Sequence, residues 1–274
     1  MKILIPTDFS KLSKVAVHYA VKLAKKSNAE LILLHAVFIN APPRAQLALK
    51  TNQVLEWMVE DATQDCVHLI KEIEQEISKN TDISYKVIKG NPLKDVIGTF
   101  AHNNDIDLII MGTKGASGLK KVLLGSNTNA VISNLDIPVI AVPEHARFDN
   151  MKHIVYASDF LAIDKEMEIL IRFAQPFKSS IHILHIVSTN SKKKIDSLAI
   201  KNKLIEKHNY APISIHISVN ENVQEAIDEY VADIKADLLA MFTHKPSFFE
   251  KLFGESVTRE MAFQNWIPLL TIKK

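Results

Sequence analysis

Short, strongly apolar runs alternate along this chain with longer segments whose apolar positions recur every three or four residues. The runs are ILI (3–5), ELILLHAV (30–37), ISYKVI (83–88), DLIIM (107–111) and PVIAV (138–142). Several are continuously apolar, the pattern of parallel strands covered on both faces. Between them, Ser10 can cap a helix carrying Leu12, Val15, Ala16, Tyr19, Ala20, Leu23 and Ala24, which Asn28 can end. A second helix is predicted within 46–79, with Leu55, Val59, Ala62, Cys66, Leu69, Ile73 and Ile77 on one face. Trp57 and Met58 of that helix are expected to pack in the core, with a partner-docking lid as the alternative. Pro92 opens a third helix with Leu93, Val96, Ile97 and Phe100. This alternation predicts right-handed crossovers and an open, doubly wound parallel α/β sheet with helices on both sides.

The pattern occurs twice. KILIPTDF (2–9) matches HIVYASDF (153–160) at an offset of 151, and LLHAV (33–37) matches ILHIV (183–187) at 150. DLIIMGTKG (107–115) lies over DLLAMFTHK (237–245), and DIPVIAV (136–142) over WIPLLTI (266–272), both at 130. The fall from 150 to 130 means that the second copy is twenty residues shorter between its second and third strands. Two tandem modules are expected, 1–147 and 150–274, joined near PEHARFDN. With no Gly/Ser-rich linker, they are expected to pack as an intrachain pseudo-dimer.

Composition changes this picture little. A chain of 274 residues has room for two domains, and 47% hydrophobic with 23% charged residues is an ordinary globular balance. A net charge of +2 gives no reason to expect a nucleic-acid partner. Cys66 is the single cysteine, which rules out an intrachain disulfide or a Cys-based zinc site and suits a reducing compartment. The apolar run in MKILIPTD is too short for a signal peptide, and no run approaches the ~20 apolar residues of a membrane span. A cytoplasmic protein without a membrane partner is expected.

Glycine carries the specific clue. Four of the seven glycines, Gly112, Gly115, Gly118 and Gly125, fall within residues 112–125. The stretch follows the DLIIM strand and ends in Gly125-Ser126-Asn127-Thr128, just before the apolar-periodic Ala130, Val131 and Leu135 of a last helix. A helix start carries unpaired N–H groups and partial positive charge, so a loop stripped of side chains can bring those donors onto a phosphate. Ser126 and Thr128 add hydroxyls, and Lys114, Lys120 and Lys121 add positive charge. The stretch is neither a P-loop nor a dinucleotide fingerprint, and the residues alone leave a plain surface loop with Ser126 as helix cap equally open.

Gly112-x2-Gly115-x9-Gly125-Ser126 is similar to the G-x2-G-x9-G-[ST] nucleotide signature of ATP-binding universal stress proteins. MKILIPTDFS, LLHAV, DLIIMGTKG and IPVIAVP resemble that family's strand ends, and the resemblance covers the whole chain as two tandem modules. It implies a Rossmann-like fold of the adenine-nucleotide-hydrolase type that binds ATP, with or without Mg2+, or AMP or ADP. It implies that Asp8 faces adenine or ribose, that Pro6 and Thr7 shape the same turn, and that Ala36, after His35, meets adenine through its backbone. Met111 and Gly112 would lie near the ribose, Gly115 in the phosphate loop, and Gly125, Ser126, Asn127 and Thr128 around the phosphates. Asn127 departs from the commoner apolar residue at its position. The resemblance also implies a role in survival under stress. The last strands, PVIAV and PLLTI, resemble the family's pairing edges, within one chain or in a homodimer.

The second copy lacks the glycines. At the offset of 130, Phe242 stands for Gly112, Lys245 for Gly115, Phe248 for Gly118, Glu255 for Gly125 and Ser256 for Ser126. Phe242 would put a ring where backbone must touch the nucleotide, and Glu255 a carboxylate beside phosphate. Asp159 is retained, and Gly254, one residue early, leaves a shifted loop as the alternative. One nucleotide per chain is expected, in the first module.

His35 and His185 occupy matching strand ends and are expected to be structural, since no metal-ligand set surrounds them in sequence. There is no GxSxG elbow, and Asp8 lacks the acidic neighbours of a phosphoacceptor site. No catalytic residue stands out, so any ATP hydrolysis is expected to be slow. The rival expectation is a non-nucleotide module of the same fold that binds another protein through its pseudo-dimer surface.

Overall fold

The structure, a computed structural model, describes residues 1–39, 50–74, 82–113, 125–190, 195–243 and 267–273. The chain divides into two compact units, Met1–Glu144 and His145–Lys274.

In the first unit the elements run β1 (Lys2–Pro6), α1 (Lys11–Ser27), β2 (Glu30–Val37), α2 (Lys50–Ile73) and β3 (Ile83–Lys89). They continue with α3 (Leu93–Asn103), β4 (Leu108–Gly112), α4 (Ser126–Asn134) and β5 (Val139–Val142). The strands are all parallel in the order β3-β2-β1-β4-β5. β1 and β4 are therefore neighbours whose outgoing connections leave in opposite directions, which opens a crevice at their carboxyl ends. The apolar runs are buried as two-sided strands should be: Ile3, Leu4, Ile5, Leu31, Leu33, Leu108, Ile109 and Ile110 have no exposed surface. Ser10 accepts a hydrogen bond from the Ser13 N–H and starts α1, and Asn28 ends it in the left-handed region at φ 54°.

The buried stripe of α2 is Ala62, Cys66, Leu69 and Ile73. Trp57 lies off that stripe and is 65% exposed, so the expected core packing of this ring is not found. The 3.6-residue period that buries Cys66 and Leu69 turns position 57 toward solvent. Ile77 and the first residues of the expected helix lie outside the described residues.

The second unit repeats the wiring. Its elements are β6 (His153–Ala157), α5 (Ile163–Ala174), a 3-10 turn (Gln175–Phe177), β7 (Ser180–Val187) and α6 (Ser197–His208). β8 (Ile213–Val219), α7 (Val223–Ile234), β9 (Leu238–Thr243) and β10 (Leu269–Lys273) follow. Its strands are also all parallel, in the order β10-β9-β6-β7-β8. α6 has 12 residues where α2 has 24, which is where the missing stretch of the second copy falls. Among the described residues no helix is long and apolar enough to cross a membrane.

Candidate functional site

The end of β1 turns a tight corner that its own polar groups hold. The Thr7 N–H donates to the Leu34 carbonyl at 2.9 Å. The Thr7 and Ser13 hydroxyls are hydrogen-bonded at 3.0 Å, and the Phe9 N–H donates to Thr7 Oγ1 at 3.1 Å. Phe9 sits in the left-handed region at φ 59°, a conformation that costs a non-glycine residue energy and needs support. His35 supplies it from β2: its Nδ1 lies 2.8 Å from the Thr7 carbonyl oxygen and must donate, and its ring stacks on Phe9 at 4.7 Å. His35 is thus a buttress, as the sequence led us to expect. The corner leaves Pro6 and Thr7 buried and Asp8 exposed at its tip, where Asp8 Oδ1 accepts from the Ser10 N–H at 3.1 Å. Ala36, half-buried, lies on the adjacent strand end in register with Ile88.

On the other side of the crevice, Met111 is 5% exposed and Gly112 closes β4 opposite Val142. Two hydrogen bonds tie the start of α4 to this strand end. Thr128, 2% exposed, donates its hydroxyl to the Gly112 carbonyl at 2.7 Å, and the Gly125 N–H donates to the Thr113 carbonyl. The hydroxyl proton of Thr128 is therefore already used: this side chain positions the helix start, and Ser126 is the exposed hydroxyl there. Gly125 is the N-cap at φ −53° and has no side chain to cap α4, so that among the described residues no side-chain cap meets the first-turn amides next to exposed Ser126 and Asn127. Gly115, Lys114, Lys120 and Lys121 lie outside the described residues.

Pro6, Thr7, Asp8, Ala36, Met111, Gly112 and the segment Gly125–Thr128 thus gather at the carboxyl ends of three adjacent strands, β2, β1 and β4. The arrangement offers main-chain donors and partial positive charge on one side and a carboxylate acceptor on the other. That combination suits an anion carrying a polar, hydrogen-bonding body. Among the described residues no group of three His, Cys, Asp or Glu is placed to hold a metal ion.

The second unit builds the same corner. The Ser158 N–H donates to the Leu184 carbonyl at 2.9 Å, and the Phe160 N–H donates to Ser158 Oγ at 3.1 Å. Phe160 is at φ 64°, its ring stacks on His185 at 4.3 Å, and His185 Nδ1 lies 2.7 Å from the Ser158 carbonyl. What lies beside the corner differs. Phe242, 8% exposed, stands where Gly112 stands and meets the Tyr156 ring edge-on, with centroids 5.4 Å apart. Tyr156, in the place of Ile5, donates its hydroxyl to Glu166 and accepts from Ser158 Oγ at 2.9 Å. Both Tyr156 and Glu166 are 1% exposed. Sequence reasoning missed this pair, although the signal was a tyrosine inside an apolar strand and a glutamate, at the offset of 150, where α1 has Ala16. Lys245, Phe248, Gly254, Glu255 and Ser256 lie outside the described residues.

A second replacement is Asp228 on α7, which at the offset of 130 stands for Gly98. A Cβ at Gly98 would come within 2.8 Å of Leu135 Cδ2, so a side chain there would require the leucine to shift. In the second unit Asp228 Oδ2 is buried and finds no hydrogen-bond partner among the described residues, and burial pushes the carboxyl up to about 7.

The sequence profile of the universal stress protein family matches residues 1–143 and again 150–273. Universal stress protein MJ0531 of Methanocaldococcus jannaschii is 31% identical over 145 residues, which cover 52% of this chain and 81% of that protein. Universal stress protein MJ0577 of the same organism is 30% identical over 155 residues, covering 52% and 93%. Among solved structures, a universal stress protein from Archaeoglobus fulgidus covers 100% of this chain and 96% of its own, with a TM-score of 0.71 at 19% identity. That last likeness is one of fold.

Proposed function

The chain belongs to the universal stress protein family, as two domains in tandem, and from that premise we propose that its N-terminal module binds ATP and regulates a stress response through its occupancy. The observation that carries this reading is the start of α4: among the described residues it has no side-chain cap, and Thr128 and Gly125 pin it to the end of β4 beside the β1 corner. The amides of the 125–128 segment would hold the phosphates, with the hydroxyl of Ser126 beside them. Gly112 would let the ribose approach the backbone, Asp8 would accept from ribose or adenine, and the backbone of Ala36 would meet the base. ADP and AMP would use the same groups with less negative charge to hold. Any Mg2+ would arrive with the phosphates, since the chain brings no acidic cluster to this edge among its described residues.

The module holds the nucleotide and does not turn it over quickly. Phosphoryl transfer needs a group to orient the attacking water, and Asp8, at the adenosine side of the proposed site, is not that group. The C-terminal module stays without nucleotide, because Phe242 occupies the place of Gly112 and packs onto Tyr156. A second reading, a protein-binding module that ignores nucleotides, draws on the exposed Trp57 of α2, an aromatic side chain of the type that anchors interfaces.

Two measurements separate these readings: analysis of small molecules released from the purified protein, and a thermal shift with added ATP. Nucleotide binding predicts a released adenine nucleotide, and ATP at 100 times its Kd stabilises by about 2.7 kcal/mol. The absence of both a released nucleotide and a thermal shift would reject the first reading.

A further inference from the structure

We propose that His153 and His182 form a binding site for a divalent transition-metal ion of the zinc or copper class in the second module. β6 and β7 are neighbours with Val155 opposite His182, and His153, two residues before Val155, points to the same face of the sheet. His153 Nδ1 and His182 Nε2 face each other at 3.1 Å, with ring centroids 5.3 Å apart and planes at 39°. Ser214 of β8 lies opposite His182 in the strand register, and its Oγ is 2.9 Å from His182 Nδ1. Both rings are half-buried, which leaves water access.

Without a metal the two nitrogens share one proton in a hydrogen bond. An ion bound tetrahedrally at 2.0–2.1 Å from each would set them about 3.3 Å apart, a small widening from the present geometry. His182 would then carry its proton on Nδ1, where Ser214 Oγ accepts it, the outer partner that ligating imidazoles ordinarily have. His153 would carry its proton on Nε2. Both rings stay neutral, so a proton moves between ring nitrogens through solvent and none is lost. Asp237 adds negative charge nearby, its Oδ2 accepting from the backbone N–H groups of Lys152 at 2.7 Å and His153 at 2.9 Å. With no third protein ligand among the described residues, water completes the shell and the ion exchanges readily. Imidazole nitrogen selects zinc, copper or nickel over magnesium or calcium. The first module offers an internal control, because Lys2 and Ile32 stand at the matching positions.

The site lies at the starts of β6 and β7, away from the strand ends, so its test does not depend on nucleotide binding. The full chain is titrated with Cu2+ and with Zn2+ by calorimetry, and the Cu2+ adduct is examined by electron paramagnetic resonance. One equivalent per chain is expected, with hyperfine structure from two imidazole nitrogens. The double substitution His153→Lys with His182→Ile should weaken that equivalent at least tenfold, while His102→Asn leaves it unchanged. Unaltered binding in the folded double variant would overturn the proposal. Should that variant not fold, the wild-type spectrum decides, and hyperfine from fewer than two imidazoles, or no stoichiometric binding at all, overturns it equally.

Discussion

The two modules share a corner and differ in what stands beside it. Thr7 and Ser158, Phe9 and Phe160, His35 and His185 repeat the same hydrogen bonds and ring stacking, down to φ values of 59° and 64° for the two phenylalanines. Both modules keep this corner, so neither the Asp-Phe pair nor its histidine tells one module from the other. The distinction lies on the neighbouring strand. β4 ends in Gly112, whose carbonyl is held by Thr128, whereas β9 carries Phe242 packed against a tyrosine that needs Glu166 as its acceptor.

The largest expected effect comes from moving one residue across this comparison. Gly125→Glu gives the first module the residue that the second has at this position. ATP affinity should fall at least 100-fold, about 2.7 kcal/mol, in a calorimetric titration. The fold should persist by circular dichroism, since φ −53° at position 125 suits any residue and an acidic side chain is favourable at a helix start. Affinity within threefold of wild type would mean that the phosphates are held elsewhere.

A smaller effect is expected within the filled core. Tyr156→Phe keeps the ring beside Phe242 but removes the hydroxyl that bonds both Glu166 and Ser158, and should lower stability by about 2 kcal/mol in urea denaturation. An unshifted midpoint would show that the network adds nothing to the second module.

A pH-dependent effect concerns Asp228, where the modules differ by a glycine. Its folded pKa of about 7 exceeds the unfolded value of about 3.9, so the folded state binds more protons between these limits. Its contribution to stability is fully present below pH ~4 and is lost as pH rises through 7. Asp228→Asn should flatten that decline when denaturation midpoints are compared from pH 4 to 8, and parallel profiles for the two proteins would contradict it.

Much of the scaffold was legible because strand and helix periods differ. The runs at 30–37 and 83–88 are β2 and β3 to within a residue, Ser10 and Asn28 bound α1, and Pro92 precedes α3. The strand ends that gather Asp8, Gly112 and Gly125 followed from the repeat and the glycine spacing. What stayed hidden depends on partners distant in sequence. The Thr128 hydroxyl reads as a phosphate ligand until the Gly112 carbonyl is seen to take its proton. His153 and His182 are 29 residues apart and meet only through the β6–β7 register. Trp57 read as core because a ring in an amphipathic helix usually is, and the phase of Cys66 and Leu69 decided otherwise.

The proposed function puts one nucleotide per chain at the helix start of the first module, where Gly125 is the N-cap. Calorimetric titration of the full chain with ATP tests it most directly. A single site per polypeptide that vanishes in Gly125→Glu is expected; two equivalent sites, or one that survives the substitution, would overturn the proposed function.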